Sequence, residues 1–237
     1  MMNSLNSVRF DQHGFVSTAA AAYPQGAFIM DACPVTALGM KKMLVDSAGF
    51  TGPFTYVQSL AAIPEKMAGA PPVLLIMDIC GEKESVLDGL RLLSQIATSS
   101  PSTKIVICTD YSDHRILELL ASSGAHGLLL KNEPVLALSQ CVTEVLEGAS
   151  QWISPRARQI LSGTGQTTTP LTARELDVLA YLFSGLSVSG VAQTLHRDIR
   201  TVSTHKRNAM MKLGFHNDSE LFAHGSWMAK IGPSAIM

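Results

Sequence analysis

Between about residues 27 and 150, short apolar runs alternate with stretches of helical period. "AFIMDA" precedes "VTALGMKKMLVDS", "PVLLIMDI" precedes "GLRLLSQIAT", "KIVICTD" precedes "HRILELLASSG", and "GLLLK" precedes "VLALSQCVTEVLEG". A run continuous in Val, Ile and Leu buries both of its faces, so these runs predict strands covered on each side by helices. The alternation therefore predicts an α/β domain with a parallel sheet over residues 27–150. Residues 1–26, polar and then rich in alanine, hold no sustained period and are expected to form a loose N-terminal extension.

The period changes after residue 170. Residues 151–170 are expected as a linker, because "LSGTGQTTTP" after its leucine is made of small, hydroxylated, Gly and Pro residues with one glutamine. Residues 171–237 then show caps and periods of helices alone. Thr172 with Glu175 forms a capping-box pattern ahead of "LDVLAYLF", Gly185 stops that helix, and Asn217 with Glu220 opens another. Between them "VSGVAQTL" (residues 188–195) predicts one helix, and a second is expected from an Asp198 cap to about Leu213 before Gly214. The short "HRD" connection is what a helix-turn-helix requires.

Charge sharpens this picture. The whole chain has a formal net charge of −1, yet residues 171–237 carry +2 and residues 1–170 carry −3. Most of the positive excess lies between Arg197 and Lys212, where five basic residues face Asp198 alone. At 100° per residue Val202, Ala209 and Leu213 share one apolar stripe, while Arg200, Thr204 and Arg207 fall opposite, with Ser203 at the edge. A solvated basic face is the plain alternative; a basic, hydroxyl-bearing second helix after a tight turn points instead to major-groove recognition of double-stranded DNA. His205, beside the apolar stripe, is expected to pack or to touch phosphate, and Met210 and Met211 to pack against neighbouring helices.

Residues 171–221, "LTARELDVLAYLFSGLSVSGVAQTLHRDIRTVSTHKRNAMMKLGFHNDSEL", resemble the LuxR-type helix-turn-helix of the NarL/FixJ response regulators. The resemblance rests on the Leu-Thr-x-Arg-Glu opening, the Thr-Val-x-x-His of the second helix and the Lys-Leu-Gly that closes it. "AMMKLG" is similar to the RcsB-like branch. Gly190 departs from the pattern, standing where the family usually has a charged helix former. The resemblance implies a transcription regulator that binds two DNA half-sites as a homodimer or as a heterodimer with a related response regulator. It places Ser203, Thr204 and Arg207 at base-reading positions and Lys206 and Lys212 on phosphates, with Arg200 on the same exposed face.

By the same resemblance residues 27–150 are a receiver-like domain, a flavodoxin-like doubly wound parallel sheet. Asp78, ending "VLLIMD", matches the phosphoacceptor; Thr109 and Lys131 match the hydroxyl and the cation that follow the phosphoryl group. The loop between Asp78 and "DGL", three residues longer, resembles the RcsB-like one. Phosphoryl transfer needs Mg²⁺, which demands several well-placed oxygens. The family supplies an acidic pair after the first strand; "MDACP" keeps Asp31 and has Ala32 in the second place, and "CGEKE" replaces the Met-Pro-Gly after the acceptor. Asp31 and Asp78 make an incomplete Mg²⁺ site, and Asp110 or Glu82 would be displaced substitutes. No cofactor is therefore expected to be required, and the receiver is expected to work without phosphorylation. The alternative is a phosphorylation-activated regulator that uses Asp78 and a histidine kinase.

Other classes fit less well. A phosphatase using an aspartate nucleophile would carry a second aspartate two residues after Asp78, where Cys80 stands, so an enzyme is not expected. An interaction module that no longer touches DNA would not keep the basic face intact. Cys33, Cys80, Cys108 and Cys141 show no CxxC spacing; the first three fall near the carboxyl ends of predicted strands and are expected to be buried, inert thiols. No apolar run is long enough to span a membrane, and "STAAAAY" does not read as a signal peptide, so the expected location is the cytoplasm.

Overall fold

The four expected runs are strands, and each is buried along nearly its whole length because its residues point alternately into two apolar layers. The computed structural model describes residues 25–162 and 169–229; the expected extension up to residue 24 and residues 163–168 of the expected linker lie outside the described residues. The receiver-like domain runs β1 (Ala27–Met30), α1 (Pro34–Asp46), β2 (Phe54–Val57), α2 (Ile63–Gly69), β3 (Leu74–Met77), α3 (Val86–Ser99), β4 (Lys104–Thr109), α4 (His114–Ala121), β5 (Gly127–Leu130), α5 (Leu136–Leu146), β6 (Trp152–Ile153) and α6 (Pro155–Leu161). The sheet is parallel throughout, in the order β2-β1-β3-β4-β5-β6. Ile29, Leu74, Ile76, Val106 and Leu129 face α1 and α5, whereas Met30, Leu75, Met77, Ile107 and Leu128 face α3 and α4. That two-sided burial is the reason the strands lack an alternating polar face.

Two strands were not expected. β2, "FTYV", is an edge strand with half-exposed residues, so it has no continuous apolar run to announce it. β6 pairs only Trp152 and Ile153 with β5, and α6 follows it, capped by the Ser154 hydroxyl. These two elements correct the expected linker, whose first half, through Leu161, completes the receiver-like sheet. Ser154 and Pro155, inside the expected linker bounds of 151–170, are here a helix cap and a first-turn proline.

The second domain contains α7 (Ala173–Phe183), α8 (Val188–Thr194), α9 (Ile199–Lys212) and α10 (Asp218–Gly225). Thr172 and Glu175 make the reciprocal capping box, and Ser187, Asp198 and Asn217 cap the other three helices. Three helices end in the same way. At Gly185, His196 and Gly214 the chain enters positive φ, and paired backbone bonds close the last turn, as in Arg197 N–H to Ala192 O at 2.9 Å. Glycine takes that conformation freely; His196, at φ 51°, takes it in the turn of the helix-turn-helix, where a β-carbon is disfavoured.

The two domains share apolar surface. α3 packs against α7, and the Arg91 guanidinium holds Asp177 Oδ1 through its Nη2 at 2.6 Å and its Nε at 3.1 Å. The apolar layer over α3 continues into Leu176, Leu179 and Met228.

Candidate functional site

Parallel strands bring their carboxyl ends to one edge of a sheet, and a crevice opens there where the strand order reverses, between β1 and β3. Asp31 follows β1 and Asp78 follows β3, so both carboxylates enter that crevice. Lys131, just after β5, meets them: its Nζ lies 2.6 Å from Asp78 Oδ2, 2.8 Å from Asp31 Oδ2 and 3.6 Å from Asp110 Oδ2. The other oxygens are held by the backbone. Cys33 N–H donates to Asp31 Oδ1 and Ile79 N–H to Asp78 Oδ1, each at 2.7 Å. Lys131 approaches Asp31 as an ion pair, less well directed than its hydrogen bond to Asp78.

Burial works to lower the Lys131 pKa, but Asp78 and Asp31 outweigh it and hold the ammonium charged above the ordinary lysine range. Burial also pushes the Asp78 carboxyl up, and Lys131 pulls it back. Thr109 is fully buried at the end of β4, where its hydroxyl accepts from Tyr111 N–H at 3.4 Å and its carbonyl accepts from Lys131 N–H at 2.9 Å.

These residues do not fit Mg²⁺. An octahedral hard cation needs oxygens converging from several sides. Here two carboxylate oxygens converge, an ammonium stands between them, and Ala32 offers no oxygen side chain. Asp110 is exposed and touches the edge of this cluster, and Glu82 is exposed. Among the described residues no group of three or more His, Cys, Asp or Glu side chains is placed to hold a metal.

The cysteines divide. Cys80 and Cys108 are buried, and burial pushes the Cys80 thiol up to about 11 and the Cys108 thiol higher, as befits inert core groups. Cys33 corrects the expectation of three buried thiols. It is exposed at the N-cap of α1, where hydrogen bonds from Thr36 and the backbone N–H of Val35 hold its pKa down.

On α9, Val202 and Ala209 are buried and Leu213 is half-buried, while Arg200, Thr204 and Arg207 are exposed on the opposite side and Ser203 is half-buried between. Met210 packs inward as expected. Met211 does not: it is 64% exposed and continues the Arg200, Thr204, Arg207 stripe by one more turn. No ion pair joins Arg200 or Arg207 to a carboxylate among the described residues. The lysines differ. Lys206 Nζ pairs with Asp218 at 2.7 Å on the surface. Lys212 Nζ donates to Glu175 Oε2 at 2.7 Å and to Pro170 O at 2.9 Å, so it ties the end of α9 to the capping box of α7. Although burial raises the Glu175 pKa, Lys212 and Thr172 bring it below the ordinary glutamate value.

Two structural roles escaped the sequence. Glu84 spans the loop after β3 to accept Leu60 N–H and Ala61 N–H, both at 2.8 Å, and Arg91 joins Asp177 across the domains. Neither carries a local signal, because each partner lies more than twenty residues away.

Residues 169–224 match the family model "Bacterial regulatory proteins, luxR family". The oxygen regulatory protein NreC of Staphylococcus carnosus is 33% identical over 172 residues, covering 66% of this chain and 76% of that protein, and its counterpart in Staphylococcus aureus is 32% identical over 171 residues. Among solved structures, RcsB of Salmonella enterica serovar Typhimurium bound to promoter P1flhDC with BeF₃⁻ is 26% identical, with a TM-score of 0.56 over 84% of this chain and 97% of that one. The same RcsB bound to promoter rprA, 24% identical, gives 0.58 over 89% of this chain and 100% of that one, a likeness of fold. The class defined by this sheet and its helix-turn-helix is the response regulators with a receiver-like domain ahead of a LuxR-type helical domain. The chain belongs to their NarL/FixJ family.

Proposed function

We propose that this regulator binds double-stranded DNA as a dimer through α9, and that its receiver-like domain works without phosphoryl transfer. The observation that supports the first half is the exposed stripe of Arg200, Thr204 and Arg207, whose guanidinium groups no carboxylate neutralises among the described residues. Such groups gain most when they meet phosphates or base edges. Arg207, Thr204 and Ser203 are assigned to bases, Arg200 and Lys206 to phosphates. Lys206 can exchange its exposed partner Asp218 for a phosphate, whereas Lys212 would have to leave a buried carboxylate. We assign Lys212 to holding α9 in place, and to phosphate contact only through whatever reach its pairing with Glu175 allows.

A dimer needs an apolar surface of its own. Val35, Leu38 and Val45 on α1 and Val135 and Leu136 at the start of α5 are exposed on two helices that pack side by side. That face is our candidate for pairing, with a second copy or with a related response regulator. Leu38→Asp with Val135→Asp should leave a monomer in sedimentation velocity.

The second half rests on Ala32 and on the hold of Asp31 and Asp78 on Lys131. Its test is the intact mass after incubation with a small acyl phosphate and Mg²⁺, with Asp78→Asn as control. No adduct is expected. An adduct lost in Asp78→Asn would instead make Asp78 a working phosphoacceptor, and a histidine kinase its upstream partner. Footprinting of the purified protein alone on a two-fold site tests the dimer; protection there would exclude an obligate heterodimer.

A further inference from the structure

We infer that Lys131 is the resident cation of the receiver pocket: its ammonium stands permanently where a divalent ion would stand transiently, paired with Asp31 and Asp78 at once. The inference rests on the reading that the pocket serves without phosphoryl transfer, and it explains how such a pocket can stay folded. Each carboxylate commits one oxygen to a backbone N–H, Asp31 to Cys33 and Asp78 to Ile79, and both aim the second oxygen at one point. Lys131 Nζ is at that point, 2.6 and 2.8 Å away.

The fit is that of a stand-in. An ammonium offers directed N–H bonds, and the one toward Asp78 is well made. Toward Asp31 the same ammonium makes an ion pair at 2.8 Å that is less well directed than the bond to Asp78. A metal ion, having no directed protons, would satisfy both oxygens alike; with Ala32 in place of a further carboxylate, the pocket has too few oxygens to retain one. Lys131 is in addition anchored at its backbone, with its N–H on Thr109 O at 2.9 Å. Lys131 therefore cannot leave to follow an incoming group without stranding two buried carboxylates within bonding distance of the same vacated point.

The experiment is thermal unfolding of the full chain in EDTA and in millimolar Mg²⁺ or Mn²⁺. The wild type should unfold at the same temperature in all three. Lys131→Met should unfold roughly 10 °C lower in EDTA, as expected for loss of the partner of buried charge. Millimolar Mn²⁺ should recover part of that loss, because two converging carboxylates without a resident cation form a weak divalent site. Asp31→Asn added to Lys131→Met should recover stability without metal, since one carboxylate then needs no partner; this double variant keeps the test decisive if Lys131→Met alone does not fold. Clear stabilisation of the wild type by Mg²⁺, or an undiminished unfolding temperature of Lys131→Met in EDTA, or failure of Asp31→Asn to rescue it, would overturn the inference. An acyl-phosphate adduct on Asp78 with these unfolding results intact would overturn only the phosphorylation-free reading and leave Lys131 as the resident cation.

Discussion

Two clusters of charge, one in each domain, are built on opposite rules. At the carboxyl edge of the sheet, the buried Asp31 and Asp78 and the half-buried Lys131 consume one another. On the outer face of α9, Arg200 and Arg207 stand in solvent with no carboxylate partner among the described residues. A charge that is already paired and desolvated has little to gain from a ligand, whereas an exposed unpaired one is ready for a polyanion. The difference is the ground for proposing a holding role for the first cluster and a binding role for the second, within one family architecture.

Lys212 breaks the comparison most sharply, because it sits on α9 and yet follows the rule of the buried cluster. Lys212→Ala should cost about 3 kcal/mol of stability in urea unfolding, since it leaves Glu175 buried without its cation. Acid should do the same to the wild type. With the Glu175 pKa below its usual value, the contribution is full above about pH 4.5 and is lost as the pH falls through the folded value. A Lys212→Ala protein as stable as the wild type would mean that pairing does not decide role.

Arg207→Ala is the opposite case. It should leave stability within about 0.5 kcal/mol of the wild type. Its loss appears on DNA, as about 1–3 kcal/mol on the preferred sequence and little on random sequence, in competition binding. Lys206→Ala should instead weaken all sequences alike and flatten the salt dependence. Equal losses on specific and random DNA for Arg207→Ala would remove it from the base-reading set.

A smaller effect tests the scaffold between the two clusters. Gly190 lies inside α8, and an added β-carbon would meet only Ser187 and Leu186 atoms at 3.5 to 3.7 Å, ordinary contact distances. Gly190→Ala should therefore raise stability by about 1 kcal/mol, read from the unfolding midpoint. Any change in DNA affinity would then report that the give of α8 matters to docking.

The smallest effect concerns His126, at the amino-terminal side of the sheet. Its Nδ1 accepts Ile105 N–H at 3.2 Å, and burial, with Lys104, holds its pKa below the usual 6.5. Because the unfolded chain takes up the proton first, the contribution is complete above about pH 6.5 and declines as the pH falls toward the folded value. The unfolding midpoint should drop modestly from pH 7 to 5.5, and His126→Gln should flatten that slope.

Much of this was legible in the order of residues alone. Apolar runs disclosed the buried strands, and Thr172, Asp198, Gly185 and Gly214 disclosed helix ends, because capping and glycine conformations are local physics. One-sided charge at helical spacing placed the basic face of α9 on the surface, since a helix fixes which side chains share a side. Ala32 was visible as a missing carboxylate. The tertiary structure alone decided what each charge is paired with: that Lys131 lies between Asp31 and Asp78, that Lys212 belongs to Glu175, that Arg91 reaches Asp177, and that β6 and α6 extend the sheet into the expected linker. Those facts depend on groups brought together from distant parts of the chain, and the energy of a charge is set by the neighbour and the solvent it meets there.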